Sequence, residues 1–151
     1  MPSADEVLDL LRRAPRPPED GPDLPAGATV DAIESFEQRT GLSLTDEHRA
    51  WLATCDGVMA GPGGLYGIDP HHDSLRIEDQ LRSWPMLHEA GWIPLAGDGC
   101  GDVYAVVSEP GAADRGTVVF VDAAEPTEPV PRSPSVWTFL VELLRTVLGE
   151  T

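Results

Sequence analysis

Between residues 92 and 121 the chain carries three short apolar runs, Trp92–Leu95, Val103–Val107 and Thr117–Val121, rich in β-branched and aromatic residues and bounded by glycines. Such runs read as strands. No helical pattern falls between them, so the βαβ alternation of a parallel sheet is missing and antiparallel pairing is expected. Helical periodicity lies on either side. The predicted fold class is therefore α+β, an antiparallel sheet with helices packed mainly on one face.

The helical segments announce themselves by their ends. Residues 3 to 14 pair a Ser3 cap and the acids Asp5 and Glu6 with an apolar stripe of Val7, Leu8, Leu10 and Leu11. Thr29 caps a second helix, with Val30, Ile33, Phe36 and Glu37 on successive turns and Gly41 as its stop. Thr45 opens a third, in which Trp51, Leu52 and Cys55 face inward and Gly57 ends the run. Residues 76 to 90 give an irregular helix interrupted by Pro85. Ser135 caps the last helix, whose broad apolar face includes Val136, Trp137, Phe139, Leu140, Leu143, Leu144 and Val147 before Gly149 closes it. "APRPPEDGPDLPAG", residues 14–27, breaks regular structure and reads as a linker or a strap over the surface. "AAEPTEPVPRSP" reads as a loop, and Leu65–Ile68 as a short extended piece among turns. Residues 1–27 thus form an N-terminal helix with a Pro-rich linker, and 28–148 the main domain.

Charge narrows the function classes. Ten basic residues, all arginine, stand against 26 acids, a net charge of −16. Arginine-only usage is what a GC-rich genome produces, but the lack of lysine also removes the P-loop lysine and Schiff-base chemistry. A field this negative repels nucleic acid and anionic membranes and attracts basic partners. It also serves solubility. No apolar run approaches the ~20 residues of a bilayer span, and the acidic N-terminus does not resemble a signal peptide, so a cytoplasmic location is expected. Cys55 and Cys100 match no zinc spacing and read as buried free thiols.

The glycine-rich stretch "WIPLAGDGCGDVYAV", residues 92–106, raises the question of a ligand cradle. It lacks the lysine and the following helix of a phosphate loop, and it leads into a strand, unlike a dinucleotide fingerprint. As a calcium loop it places Asp98 first and Glu109 twelfth, but Cys100 falls third and Val103 sixth, where a glycine is needed. A hairpin turn fits better. In "DPHHD" adjacent His71 and His72 would point to opposite sides of an extended segment and so ligate no common metal. A Cys/His dyad stays open, since such partners meet in space, but the spacing carries no positive signal for one. No cofactor or metal is expected.

The pieces in sequence resemble the SMI1/KNR4 family of the SUKH superfamily. The residues that carry the resemblance are "AIESFEQRTGLSL" (32–44), "HRAWLATCDGV" (48–58), with Asp56-Gly57 where asparagine-glycine is usual, "GLYGI" (64–68), the glycine stretch and "SVWTFLVELL" (135–144). It covers roughly residues 28 to 148 and implies that Gly99 and Gly101 serve a bend, with Asp102 bonded back to the turn. Bacterial members look mostly like non-catalytic immunity proteins that bind and neutralise a toxin, often a nuclease with a basic groove. The resemblance thus implies no enzyme but a cognate protein toxin as partner. Fungal members look like scaffolds or regulators in cell-wall synthesis, which is the alternative. On the immunity reading the acidic loops "GIDPHHD" and "GDGCGD" are the expected contacts, through Asp69, Asp73, Asp98 and Asp102.

Overall fold

The computed structural model describes residues 2–150. In chain order it runs α1 (Ala4–Arg13), a 3₁₀ turn (Pro18–Asp20), α2 (Val30–Thr40), α3 (Asp46–Thr54), a second 3₁₀ turn (Asp73–Leu75), α4 (Ile77–Ser83) and α5 (Pro85–Ala90). β1 (Trp92–Gly97), β2 (Val103–Val107), β3 (Val118–Val121) and β4 (Val130–Ser133) then form one antiparallel sheet in the order β1-β2-β3-β4, and α6 (Val136–Val147) closes the chain. This is the α+β architecture expected from the order of the patterns.

The caps explain where the helices start. The hydroxyls of Ser3, Thr29, Thr45 and Ser135 accept the backbone N–H three residues on, at 3.3, 3.1, 3.2 and 3.1 Å, so each satisfies a donor that the first turn would leave free. Gly41 ends α2 in the left-handed region, at φ +73°. Pro85 divides the irregular helix in two. It stands at the first position of α5, where its missing N–H costs nothing, and Trp84 forms the break.

Some boundaries differ from the sequence reading. α3 stops at Thr54, with Cys55 already extended, so Gly57 does not end it. Gly57 has φ +83°, and a Cβ there would lie 2.7 Å from Pro70 Cβ, so its role is close approach between two loops. Val30 is 70% exposed, because the first residue of α2 sits at the rim of a groove between α2 and α3. The loop 123–134 contains β4, which its prolines disguised. β4 is an edge strand with Val130 to Arg132 exposed, and an edge is the place where a sheet tolerates proline. Cys55 is buried as expected, but Cys100 is exposed at the hairpin tip.

β1 and β2 are buried almost throughout rather than at alternate positions, which means that both faces of this half of the sheet are covered. Residues 65–67 protect the outer edge of β1: Tyr66 N–H donates to Leu95 O at 3.0 Å, and Leu65 bridges to Ala96. On the other side Tyr104 of β2 stacks at 4.8 Å on Phe139 of α6 and at 5.3 Å on Phe120 of β3. α6 buries Val136, Phe139, Leu140, Val141, Leu143 and Leu144, each burial contributing about 1.5–3 kcal/mol for a large side chain. Trp137 is half-buried and meets Trp51 of α3 edge to face at 6.3 Å.

α1 docks on α6. Val7, Leu10 and Leu11 are fully buried there, and the contact is flanked by the ion pairs Arg13–Glu150 at 2.5 Å and Arg145–Glu6 at 2.6 Å. Exposed pairs of this kind add about 0–1 kcal/mol each, so the apolar stripe dominates. From α1 the chain returns as the proline-rich strap. Ala28 N–H donates to Leu52 O at 2.8 Å, and Asp56 N–H to Ala26 O at 3.1 Å, which lays the strap along the end of α3.

Candidate functional site

The glycine hairpin is built for contact with its own neighbour. Gly99 and Gly101 adopt φ +83° and +96°. Asp98 Oδ1 accepts the amides of Cys100 at 2.7 Å and Asp102 at 3.0 Å, so Asp98 rather than Asp102 closes the turn on itself. Asp102 instead accepts Ala123 N–H at 2.8 Å and ties the hairpin to the β3–β4 connection. The "GPGG" loop presses against this turn. A Cβ on Gly63 would fall 2.5 Å from Gly97 C and 2.6 Å from Gly99 N, and one on Gly99 would fall 2.7 Å from Pro62 O. The glycines are there because two backbones need the space. Tyr66 lies beneath, its hydroxyl pushed up to about 12 by burial and then by the Asp98 charge.

The four acids expected to meet a partner fall into two pairs. Asp69 and Asp73 are well exposed and share Arg76, at 3.2 and 3.0 Å. Asp98 and Asp102 are half-buried, with oxygens already committed to backbone amides. Of the four, only Asp69 lines a groove of about 670 Å³ between the strap and the loop 56–72.

That groove is lined by the apolar residues Ala28, Ala32, Val58 and Met59 and by five acids. The strap supplies Glu19, Asp20 and Asp23; the facing loop supplies Asp56 and Asp69. Asp56 is nearly buried, and its carboxylate accepts Ile68 N–H at 2.6 Å and Asp69 N–H at 3.0 Å. Burial raises its pKa above the ordinary carboxylate value, and the two backbone hydrogen bonds pull it back in part. Arg16 turns its guanidinium onto the strap's own carbonyls, Pro22 O at 3.0 Å and Asp23 O at 3.3 Å. His72 Nε2 lies 2.9 Å from both Asp20 oxygens and so fastens the loop to the strap. His71 lines the groove beside it, with ring centroids 5.3 Å apart. The chain bends here, so the two rings do not diverge as in a flat strand. Ala32 and Asp69 also line an adjoining hollow of about 330 Å³ along α2.

Sequence reasoning named the loop side of this groove through Asp69 and missed the strap side. The signal was there in "PEDGPD", which puts three acids among prolines, but nothing local says which surface a strap will cross.

The titratable interior offers no nucleophile at Cys55, whose thiol is pushed up to about 12 by burial first and by Asp56 second. His48 is fully buried, and burial alone lowers it to about 3, so its ring is neutral. Among the described residues no cluster of three or more His, Cys, Asp or Glu has the geometry to hold a metal ion, and no helix is long and apolar enough to cross a membrane.

A four-stranded antiparallel sheet flanked by helices, with an acidic groove on its surface, defines a domain of the α+β class. The family model for the SMI1 / KNR4 family (SUKH-1) matches residues 27–142, and the chain belongs to that family. The match covers the domain from the end of the strap through most of α6. The family's domain is known for immunity proteins, generally non-catalytic, that bind protein toxins. Among curated proteins none matches the chain.

Proposed function

We propose that this protein is a cytoplasmic, non-catalytic immunity protein that binds and neutralises a cognate bacterial toxin of a polymorphic or contact-dependent system. The family match carries the reading. The charge supports a basic partner such as a nuclease: most of the arginines are already paired with the chain's own carboxylates, for example Arg39 with Glu78 and Arg49 with Glu37, so the excess of −16 is displayed rather than neutralised. A basic groove made for phosphates meets that field favourably. Complementary fields raise association toward roughly 10⁸–10⁹ M⁻¹s⁻¹ at low salt. Asp69 and Asp73, exposed and paired with Arg76, are the candidates for direct contact, while Asp98 and Asp102 contribute through the field of the hairpin tip.

The alternative, a scaffold that docks partners through its N-terminal helix, draws less support. The apolar stripe of α1 is consumed against α6. The test is titration of the purified protein against candidate toxin domains from the same genome, at low and at molar salt. Stoichiometric inhibition with an on-rate that falls steeply with salt is expected. An affinity indifferent to salt refutes the electrostatic mechanism, and a lack of binding refutes the function.

A further inference from the structure

The strap lies almost wholly outside the matched family domain, which begins at residue 27, yet it builds half of the groove. The strap side of the pocket therefore lies outside the matched domain. Its chemistry is also two-sided. A guest must cover Ala28, Ala32 and Met59 with apolar surface and meet Glu19 and Asp23 with positive charge, since the other carboxylates of the groove are engaged, Asp20 by His72, Asp69 by Arg76 and Asp56 by two backbone amides. Arg16, the strap's own cation, does not meet Glu19 or Asp23, because its guanidinium is turned onto the carbonyls of residues 22 and 23.

Long basic side chains have both properties, an apolar stem and a cationic head. Arginine fits better than lysine. Its planar guanidinium is weakly hydrated and pairs with carboxylates through two parallel hydrogen bonds, whereas an ammonium loses more hydration on entering a half-enclosed site. The adjoining hollow beyond Ala32 and Asp69 continues the path along α2, where Arg39 and Arg76 also line it, so a chain that extends there places its arginine in the strap groove and not in the hollow.

We propose that the groove between the strap and the loop 56–72 takes an arginine side chain from an extended segment of the protein partner, and that the strap thereby selects the partner. The inference rests on the immunity reading only for the partner's biological identity; the chemistry of the pocket is independent of it.

The probe is an acetylated, amidated Gly-Arg-Gly-Arg-Gly peptide, titrated into the full-length ¹⁵N-labelled protein, with lysine and citrulline versions as controls. The arginine peptide should shift the amides of Ala28, Ala32, Val58 and Asp69 first, the lysine peptide should bind more weakly, and neutral citrulline should not bind. Asp23→Arg, on the exposed rim, should weaken the arginine peptide about fivefold, the loss of roughly 1 kcal/mol for one partly exposed charge contact. Glu128→Arg makes the same change of charge far along the chain on an exposed loop and should weaken it less than about twofold. Equal losses in the two variants, or shifts scattered over all acidic surfaces, overturn the proposal. The toxin supplies a separate arm. If it binds wild type and Asp23→Arg alike, the groove is not its site and the proposal falls while the immunity reading stands. If it binds neither, while the peptide discriminates as expected, the immunity reading falls and the arginine pocket stands.

Discussion

Replacing His48 with leucine should remove a pH-dependent weakness from the core. His48 sits on α3 at 0% exposure, one turn from Trp51, and neither ring nitrogen has a hydrogen-bond partner among the described residues. Burial holds its pKa at about 3 against an ordinary 6.5, and no neighbouring charge contributes. The folded state therefore excludes the proton that the unfolded chain accepts below pH 6.5. The contribution is fully present above that value and is lost as pH falls toward 3, at about 1.4 kcal/mol per pH unit. Between pH 6.5 and pH 5 the loss is about 2 kcal/mol. pH 5 also keeps the protein above its isoelectric point near 4.3, where it would precipitate.

The assay is urea unfolding of wild type and His48→Leu at pH 8 and pH 5. The many surface carboxylates titrate alike in both proteins and cancel in the difference. At pH 8 the variant should be as stable as wild type or more so, because an unpartnered buried polar group costs about 1–3 kcal/mol. Its advantage should grow by about 2 kcal/mol at pH 5. An advantage that does not change with pH would show that His48 is solvated or paired in solution and would refute the reasoning. A histidine-ring NMR titration gives a second check, since His48 should not respond between pH 8 and pH 5.

Leu11→Ala should cost about 2–4 kcal/mol in urea, because this side chain is fully buried between α1 and the domain; a cost under about 0.5 kcal/mol would mean that α1 is not docked in solution. Asp56→Ala should cost about 2–4 kcal/mol by freeing the Ile68 and Asp69 amides, while Asp56→Asn, which retains an acceptor, should cost clearly less; equal costs would deny the carboxylate its role in holding the loop. Gly63→Ala should destabilise more than Gly101→Ala. At residue 63 the new methyl meets the backbone of Gly97 and Gly99, whereas at residue 101 space is open and only the φ of +96° resists, at about 1–2 kcal/mol; the reverse order would refute the packing of the two loops.

The expected elements and the observed ones agree where a local rule was complete. A hydroxyl ahead of a helical stripe satisfies a free amide within three residues, so Ser3, Thr29, Thr45 and Ser135 mark their helices without help from the rest of the chain. The short β-branched runs between glycines pair with their neighbours because a hairpin needs nothing else. β4 was hidden for the opposite reason: "VPRS" has no strand signature, and it becomes a strand only because β3 offers an unpaired edge to residues that α6 brings back beside it. Cys100 and Val30 were placed inside by type and lie outside by position.

The chain alone thus determined its class of fold, its helix starts, its hairpins and its surplus of negative charge, since each of these depends on contacts or sums within a few residues. Only the tertiary structure decided which acids are claimed by backbone amides and which by an arginine. Asp98 and Asp102 were equivalent to Asp69 and Asp73 as letters, but the amides that claim the first pair come from a turn and from residue 123. The groove belongs to the same category. Asp20 and Asp56 lie 36 positions apart in the sequence and share one rim because the strap runs back along the end of α3, a path set by hydrogen bonds between residues distant in the chain.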